Sequence, residues 1–165
     1  MTRSSIVILA ALLAAPASCS QQPQQGAGNT ASTLRDYAAE QRQYLDTLTP
    51  AQGWQSTPSG IKYRRIGGNG TGPKPKPTDT VTLHYIGTLT NGQEFDSSVR
   101  RGEPATMALP DLVPGWQQAV PLMSVGDRYE FAIPAELGYG SRNSGPIPAD
   151  STLLFTIGLI GIEGR

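Results

Sequence analysis

The sequence predicts an α+β domain in which one curved antiparallel β-sheet wraps around one short α-helix. Two observations support this fold class. Glycine and proline account for 19 and 14 of the 165 residues, which argues against a helical bundle and for a loop-rich chain. After residue 56, segments of β-branched and aromatic residues alternate with turn residues, and one short stretch (LVPGWQQAV) is typical of a helix.

The first 18 residues are predicted to be a signal peptide. Arg3 precedes an apolar run over residues 6–15, and small residues follow it. The run is shorter than the roughly 20 residues that a membrane-spanning helix needs. A positive end, a short apolar run and small residues are typical of export signals. A buried core helix is the alternative, but the polar segment after Pro16 offers nothing to pack against it.

Cys19 is the only cysteine of the chain, so no internal disulfide is expected. Residues 15–19 (APASC) resemble a bacterial lipobox, although Pro16 stands where that pattern usually has leucine. The resemblance implies lipidation of Cys19 and a membrane anchor on the periplasmic side of a bacterial envelope. The outer membrane is favoured because Ser20 is not an acidic residue. Residues 15–17 also fit an ordinary cleavage site, which would release a soluble periplasmic protein.

A flexible tether and a helical segment are predicted before the domain. Residues 19–32 are rich in Gln, Ser, Gly and Asn without apolar spacing, which is typical of a linker. Within residues 33–55, apolar side chains recur every three to four positions, with Thr33 as the cap and Pro50 and Gly53 as the stop. We favour an amphipathic helix packed on its own domain over a dimerisation helix, because short helices gain stability mainly from tertiary packing.

Residues 56–165 are predicted to form the α+β domain itself. The predicted strands cover residues 61–66, 80–89, 94–97, 105–109, 128–133 and 152–160. The helix over residues 112–120 places Pro114 in its first turn, which helices tolerate. The last strand is apolar on both faces and is therefore expected at the centre of the sheet.

The composition excludes several kinds of function. Thirteen basic and thirteen acidic residues cancel, so nucleic acid is not an expected partner. His84 is the only histidine and lies in a predicted strand, where a structural role is favoured over a catalytic triad. Because Cys19 belongs to the leader, a cysteine enzyme is excluded. No residues have the spacing of a metal site or a phosphate-binding loop, so neither a metal nor a cofactor is expected.

A set of aromatic residues, each in or beside a different predicted element, remains as the candidate site. The set consists of Tyr85, Phe95, Trp116, Tyr139 and Phe155. Each one alone could be ordinary core, but Tyr139 lies between two glycines in a loop, where core packing is a poor explanation. Asp96 follows Phe95, so a regular strand would point the two side chains to opposite faces. We expect Asp96 either to face solvent or to be held by a partner such as Arg101.

Five ordered stretches resemble the FKBP-type peptidyl-prolyl cis-trans isomerases, the immunophilin family that binds macrolides. They are TPSGIKYRRI (57–66), VTLHYIGTLTNGQEFDSS (81–98), LVPGWQQAV (112–120), GDRYEFAIPAELGYG (126–140) and IPADSTLLFTIGLIGIE (147–163). They occur in family order with family spacing. Together with the leader, the opening T-x-S-G-I-x-Y resembles bacterial envelope members. The resemblance implies an FKBP-like fold that isomerises X-Pro bonds and assists protein folding, with proline-containing unfolded or extended polypeptides as partners and macrolides as inhibitors.

The resemblance also implies the site residues. The catalytic positions would be Tyr85, Phe95, Asp96, Trp116, Tyr139 and Phe155, and the substrate-binding positions Arg101, Met107, Leu112, Val113 and Ile147. Trp116 matches the floor of the family pocket, and Tyr139 matches a loop tyrosine whose hydroxyl donates to a ligand carbonyl. Met107 replaces an aromatic residue of the family, and Ala105 departs beside it, which bears on substrate side-chain preference rather than on the reaction.

Two other classes of function stay open from the sequence. One is a non-catalytic chaperone or peptide-binding module of the same fold, and the other is a structural envelope lipoprotein. The aromatic set favours the enzyme, and a structural lipoprotein would leave Tyr139 in its glycine-flanked loop without an explanation.

Overall fold

The computed structural model describes residues 26–164, with side chains from Ser32 onward. The predicted signal peptide, Cys19 and the first part of the predicted tether lie outside the described residues. The strands, in chain order, are β1 (Gln55–Ser56), β2 (Lys62–Gly67), β3 (Thr80–Thr88), β4 (Glu94–Ser97), β5 (Ala105–Ala108), β6 (Arg128–Ile133) and β7 (Leu153–Ile162). The described helices are α1 (Gly26–Thr47), α2 (Ser98–Arg101) and α3 (Pro114–Ala119), with short 3₁₀ turns between elements.

One seven-stranded antiparallel sheet forms the body of the domain. Its order is β1-β2-β6-β7-β3-β4, and β5 also pairs with β3. β7 therefore lies between β6 and β3, which confirms the central position that its apolar sequence predicts. The pairing shifts register at Arg65/Gly67, at Thr82/Leu83 and at Gly87/Thr88. Such irregularities bend strands and increase their twist, and they give the sheet the curvature that the predicted fold requires.

The concave face of the sheet covers α3. Along β3, buried and half-buried residues alternate, as expected when one face lines a core and the other does not. α3 begins at Pro114, as predicted, and buries Trp116 against the core. Gly115 allows this close approach, because a Cβ at that position would lie 2.3 Å from Ile133 Cγ2. The predicted architecture of a curved sheet around one short helix is therefore confirmed.

Helix α1 starts earlier than the sequence predicts. The tether was expected to extend to residue 32 and the helix to start at a Thr33 cap, whereas α1 already begins at Gly26. The Thr33 cap is therefore wrong, because this residue lies inside the helix. Once a helix is nucleated, each further residue adds one hydrogen bond, so α1 can extend before Thr33 through residues of low helix propensity. The helix ends at Thr47, before Pro50, as predicted.

α1 packs against the domain rather than standing apart from it. Its Gln41 is 5% exposed, and the Tyr37 hydroxyl lies 2.8 Å from Ser151 Oγ. This arrangement agrees with the favoured interpretation of α1 as a helix on its own domain. No helix within residues 26–164 has the length and apolar character needed to cross a membrane.

Candidate active site

A pocket opens where the concave face of the sheet meets α3 and the loop that carries Tyr139. Its lining residues are Tyr85, Phe95, Asp96, Met107, Leu112, Val113, Trp116, Tyr139, Leu153 and Phe155. The volume of the pocket is about 140 Å³. A cavity of roughly 150 Å³ is large enough for a benzene molecule, so the pocket matches a single small ring.

Four aromatic side chains form the floor and walls of this pocket through edge-to-face packing. The ring of Trp116 on α3 lies 5.4 Å from that of Tyr85 and 5.1 Å from that of Phe155, at interplanar angles of 90° and 87°. Phe95 meets Phe155 at 5.6 Å and 90°. Perpendicular pairs at these distances are a favourable aromatic geometry. Each ring is therefore held by a neighbour from a different element, and the cup is formed before any ligand enters.

A β-bulge turns two consecutive residues into the pocket. In the β3–β4 pairing, Gly87 lies opposite Asp96 and Thr88 opposite Glu94, so Phe95 is the extra residue. A bulge re-aims side chains that would alternate in a regular strand. The expectation that Phe95 and Asp96 point to opposite faces is therefore wrong, since both line the pocket.

Gly87 makes room for the aromatic wall. A Cβ at this position would lie 2.6 Å from Cε2 of Phe95 and 2.9 Å from Cε1 of Phe155. Real Cβ atoms do not approach other atoms so closely, and a side chain there would push one of the rings away. The glycine at the centre of the bulge is thus required by the edge-to-face packing above it.

Tyr85 and Arg101 bind the carboxylate of Asp96. We call Tyr85, Asp96 and Arg101 together the Asp96 cluster. Tyr85 donates its hydroxyl hydrogen to Asp96 Oδ2, and Arg101 Nη1 donates to Asp96 Oδ1. Arg101 Nη2 also donates to the Tyr85 hydroxyl over 3.0 Å, and the Ser97 amide donates to Asp96 Oδ1 over 2.8 Å. Arg101 is thus the partner that the sequence suggested for Asp96. Tyr85 uses its hydroxyl within the cluster and presents its ring to Trp116.

The Asp96 cluster shifts the protonation equilibria of its members. Burial by itself would raise the pKa of Asp96, but the hydrogen bonds from Tyr85 and Arg101 and the charge of Arg101 hold that pKa below its ordinary value. Burial and the hydrogen bond to Asp96 raise the pKa of Tyr85. The hydrogen bonds to Tyr85 and Asp96 raise the pKa of Arg101. All three groups therefore keep one charge state across the neutral range.

Tyr139 and α3 border the open side of the pocket. Tyr139 is 37% exposed, so this residue is accessible from solvent. The loop that carries it is closed by two backbone hydrogen bonds of Gly140, one to Ala135 and one from Asp150, both 2.8 Å. Val113 directly precedes α3 and caps it by accepting the Trp116 amide over 2.9 Å. Pre-arranged polar groups at the mouth of an apolar cup are typical of ligand pockets.

Most of the residues implied by the resemblance converge on this pocket, with two exceptions. Arg101 is not part of the lining and acts on it through Asp96 and Tyr85. Ile147, expected as a wall, is not among the lining residues, although like Trp116 it is 4% exposed and belongs to the hydrophobic core. Leu153 lines the pocket and was missed. It lies two residues before Phe155 on the same strand face, so strand alternation could have found it.

His84 lies on the half-buried side of β3, away from the pocket lining. Its Nδ1 is 3.1 Å from the Ser98 hydroxyl, which agrees with the structural role expected from the sequence. Among residues 26–164, no three His, Cys, Asp or Glu side chains are grouped so that they could hold a metal ion.

Comparison with known proteins relates this pocket to one family. A profile of the FKBP-type peptidyl-prolyl cis-trans isomerases matches residues 72–160. The chain is 48% identical over 121 residues to the FKBP-type peptidyl-prolyl cis-trans isomerase FkpA of Aeromonas hydrophila, covering 73% of this chain and 45% of that protein. It is 46% identical over 107 residues to the outer membrane protein MIP of Legionella longbeachae, covering 64% and 46%.

A solved structure is similar over most of the chain. The crystal structure of FkpA from Escherichia coli matches with a TM-score of 0.76 and 32% sequence identity, covering 82% of this chain and 63% of that one. The chain spans about half the length of the curated relatives named above.

Proposed function

Because the chain belongs to the FKBP-type peptidyl-prolyl cis-trans isomerase family, we propose that it catalyses rotation about the peptide bond before proline in unfolded or extended polypeptides. The observation that carries the proposal is the aromatic cup around Trp116, whose volume suits one small ring. The proline ring would lie on Trp116, between Tyr85, Phe95 and Phe155. The polypeptide on either side of the proline would extend out of the pocket through its open side, beside Tyr139.

The chemistry of this rotation needs no nucleophile. An X-Pro bond isomerises slowly because amide resonance must be lost, with a barrier of about 18–20 kcal/mol. No covalent bond is broken, so the pocket has only to favour the twisted amide over the planar one. Water stabilises the charge separation of the planar amide. An apolar aromatic cup excludes that water and thereby favours the less polar transition state.

Polar groups at the mouth would hold the chain while one side of the bond turns. The hydroxyl of Tyr139 and the backbone N–H of Val113 would donate to carbonyl groups that flank the proline, which the position of both residues in the pocket lining supports. The carboxylate of Asp96 lies in the lining, and Arg101 neutralises its charge from outside. Fixing one side of the substrate converts binding energy into a lower rotational barrier.

Several finer features belong to the same proposal. Macrolides would inhibit by filling the aromatic cup, and Met107 would shape the preference for the residue before proline. No metal and no cofactor takes part in the rotation. A non-catalytic chaperone or peptide-binding module would use the same pocket without turnover.

The test is a protease-coupled assay on a Leu-Pro or Phe-Pro peptide with the purified protein. The isomerase should accelerate the slow cis-to-trans phase, and EDTA should leave the rate unchanged. Binding of the peptide with an uncatalysed rate would instead favour the binding module.

For localisation, we propose export to the periplasmic side of a bacterial envelope, where the protein assists folding. The support is the sequence pattern of residues 1–18, which is typical of an export signal, and the name of one relative, an outer membrane protein. Lipidation of Cys19 would anchor the domain at the membrane, with the outer membrane favoured. Release as a soluble periplasmic protein is the alternative that the fractionation experiment in the Discussion distinguishes.

A further inference from the structure

Gln41 is a buried polar residue on a largely exposed helix. Its side chain is 5% exposed, whereas its neighbours Arg42 and Gln43 on α1 are exposed. A buried amide costs free energy unless its donors and acceptors are satisfied. Gln41 lies outside residues 72–160, the part of the chain that matches the family profile.

The partners of Gln41 come from two separate segments of the domain. Its Nε2 donates to the hydroxyl of Thr90 over 3.0 Å, and its Oε1 accepts the backbone amide of Thr152, also over 3.0 Å. Its backbone carbonyl accepts the hydroxyl of Thr152 over 3.1 Å. Thr152 is 1% exposed, so Gln41 satisfies a backbone donor that water does not reach.

The two segments meet just beyond the end of a strand pair. The β3–β7 ladder ends with Thr88 opposite Leu154, so two further steps would bring Thr90 opposite Thr152. Instead, the chain leaves β3 for the β3–β4 hairpin. The side-chain amide of Gln41 bridges the two positions where ladder hydrogen bonds are missing.

Both segments that Gln41 joins lead directly into the pocket wall. Thr90 opens the hairpin that returns to Phe95 and Asp96, and Thr152 precedes Leu153 and Phe155 on β7. Phe95 and Phe155 pack edge to face at 5.6 Å. The separation of these two rings therefore depends on how the hairpin and the start of β7 are held together.

We propose that Gln41 is a positioning residue for the pocket: its amide clamps the β3–β4 hairpin to the start of β7 and so sets the spacing of Phe95 and Phe155. Through this clamp, α1 is part of the isomerase machinery and not only a spacer before it. The inference rests on the proposed function for its effect on turnover. Its effect on pocket geometry is independent of that function.

The test compares the purified full chain with Gln41→Leu, Thr90→Val and the control Gln43→Leu, which changes an exposed glutamine on the same helix. Two readouts are taken below the melting temperature of every variant. One is kcat/KM on a Leu-Pro peptide, and the other is the indole N–H resonance of Trp116, assigned with Trp54→Phe. Because the Phe155 ring lies 5.1 Å from Trp116, that resonance reports on the position of the ring.

Gln41→Leu and Thr90→Val should each lower kcat/KM about fivefold and move the Trp116 resonance, while Gln43→Leu should change neither. A lower melting temperature with unchanged kcat/KM and an unmoved resonance would overturn the proposal, because Gln41 would then be structural only. If Gln41→Leu does not fold, the kcat/KM and the Trp116 resonance of Thr90→Val decide whether the clamp positions the pocket. If the unmodified chain has no activity, the proposed function fails, and the Trp116 resonance alone decides the role of Gln41.

Discussion

At the scale of single residues, the Asp96 cluster holds an ionised but charge-paired carboxylate in the lining of an otherwise apolar cup. Tyr85 and Arg101 bind the carboxylate from two different elements, β3 and α2. Charge-assisted hydrogen bonds of this kind are stronger than neutral ones. The cluster therefore orients Asp96 and Tyr85 together, and a change in the protonation of either would disturb both.

The first prediction concerns the pH dependence of turnover. The pKa of Asp96 is lowered and that of Tyr85 is raised, from ordinary values of about 3.9 and 10. Asp96 therefore stays ionised and Tyr85 stays protonated between about pH 5 and pH 9. We expect kcat/KM, measured by NMR exchange on a Leu-Pro peptide, to be constant over this range.

The same shift fixes the sign of the effect on stability. Since the pKa of Asp96 is depressed in the folded state, the contribution of its ionised form to the free energy of unfolding is complete above the unfolded pKa of about 3.9. This contribution is lost as the pH falls through the folded pKa.

Turnover has a separate contradicting result. A change in kcat/KM between about pH 5 and pH 7 would show that a group outside the Asp96 cluster controls turnover.

The second prediction concerns Gly87 beneath the aromatic wall. Gly87→Ala would place a methyl group 2.6 Å from Phe95, and overpacking of this kind costs about 1–3 kcal/mol. We expect urea unfolding to show that loss, together with a lower kcat/KM because Phe95 must move. The matched control is Gly158→Ala on β7, where a Cβ meets nothing within 4 Å. Equal effects of the two substitutions would contradict the role given to Gly87.

Only part of the pocket could be predicted from the sequence. Tyr85, Trp116 and Phe155 could be assigned from their elements and the family resemblance. The joint orientation of Phe95 and Asp96 could not, because it depends on a bulge whose position is set by the partner strand. The burial of Ile147 could not be predicted either, because it depends on a loop that folds back through a bridge between Ser144 and Ile147.

At the scale of elements, α2 links the Asp96 cluster to β3. The buried hydroxyl of Ser98, the first residue of α2, accepts the amide of Tyr85 over 2.8 Å and lies 3.1 Å from His84 Nδ1. Ser97 caps the helix by accepting the Arg100 amide over 3.1 Å. These contacts fix α2 so that Arg101 reaches Asp96.

The third prediction follows from this attachment. Ser98→Ala would leave the buried amide of Tyr85 without its acceptor, which costs about 1–3 kcal/mol. Urea unfolding should show a loss of this size, whereas Ser141→Ala in an exposed loop should stay within about 0.5 kcal/mol of the unmodified chain. A Ser98→Ala variant as stable as the unmodified chain would mean that α2 is held by other contacts.

Strands were easier to predict than short helices in this chain. β3 alternates along its length, and β6 lies between the Gly126-Asp127 turn and Pro134, so the bounds of both follow closely from the sequence. α2 is one turn long and shows no periodicity, although its serine cap and Gly102 at φ +80° are both recognisable signals. The start of α1 was misjudged because its first residues (GAGNTAS) have neither an apolar face nor high helix propensity, so only continuity with the rest of the helix favours helix there.

At the scale of the whole molecule, α1 lies between the domain and the N-terminal segment that contains Cys19. α1 is joined to the domain through Gln41 and Tyr37, and its first residue, Gly26, follows Cys19 by only a few residues. A lipid at Cys19 would therefore hold the pocket close to a membrane. The separation would be set mainly by α1, at about 1.5 Å per residue.

The fourth prediction tests this arrangement. If Cys19 is lipidated, the mature protein should partition with membranes, and Cys19→Ala should appear in the soluble periplasmic fraction. The matched control is Ser18→Ala, which changes the neighbouring residue and keeps the thiol. An unmodified protein that fractionates as soluble, with Ser18 or a later residue at its N-terminus, would contradict the anchor.

If the aromatic cup around Trp116 catalyses rotation about X-Pro bonds, exchange NMR at substoichiometric protein will separate catalysis from binding alone. A Leu-Pro peptide is present in large excess, and exchange between its cis and trans resonances is followed while the protein is added. We expect the exchange rate to increase in proportion to protein, to persist in EDTA and to return to the uncatalysed rate when a macrolide fills the cup. Exchange at the uncatalysed rate, with broadening of the peptide resonances showing that the peptide still binds, would contradict it.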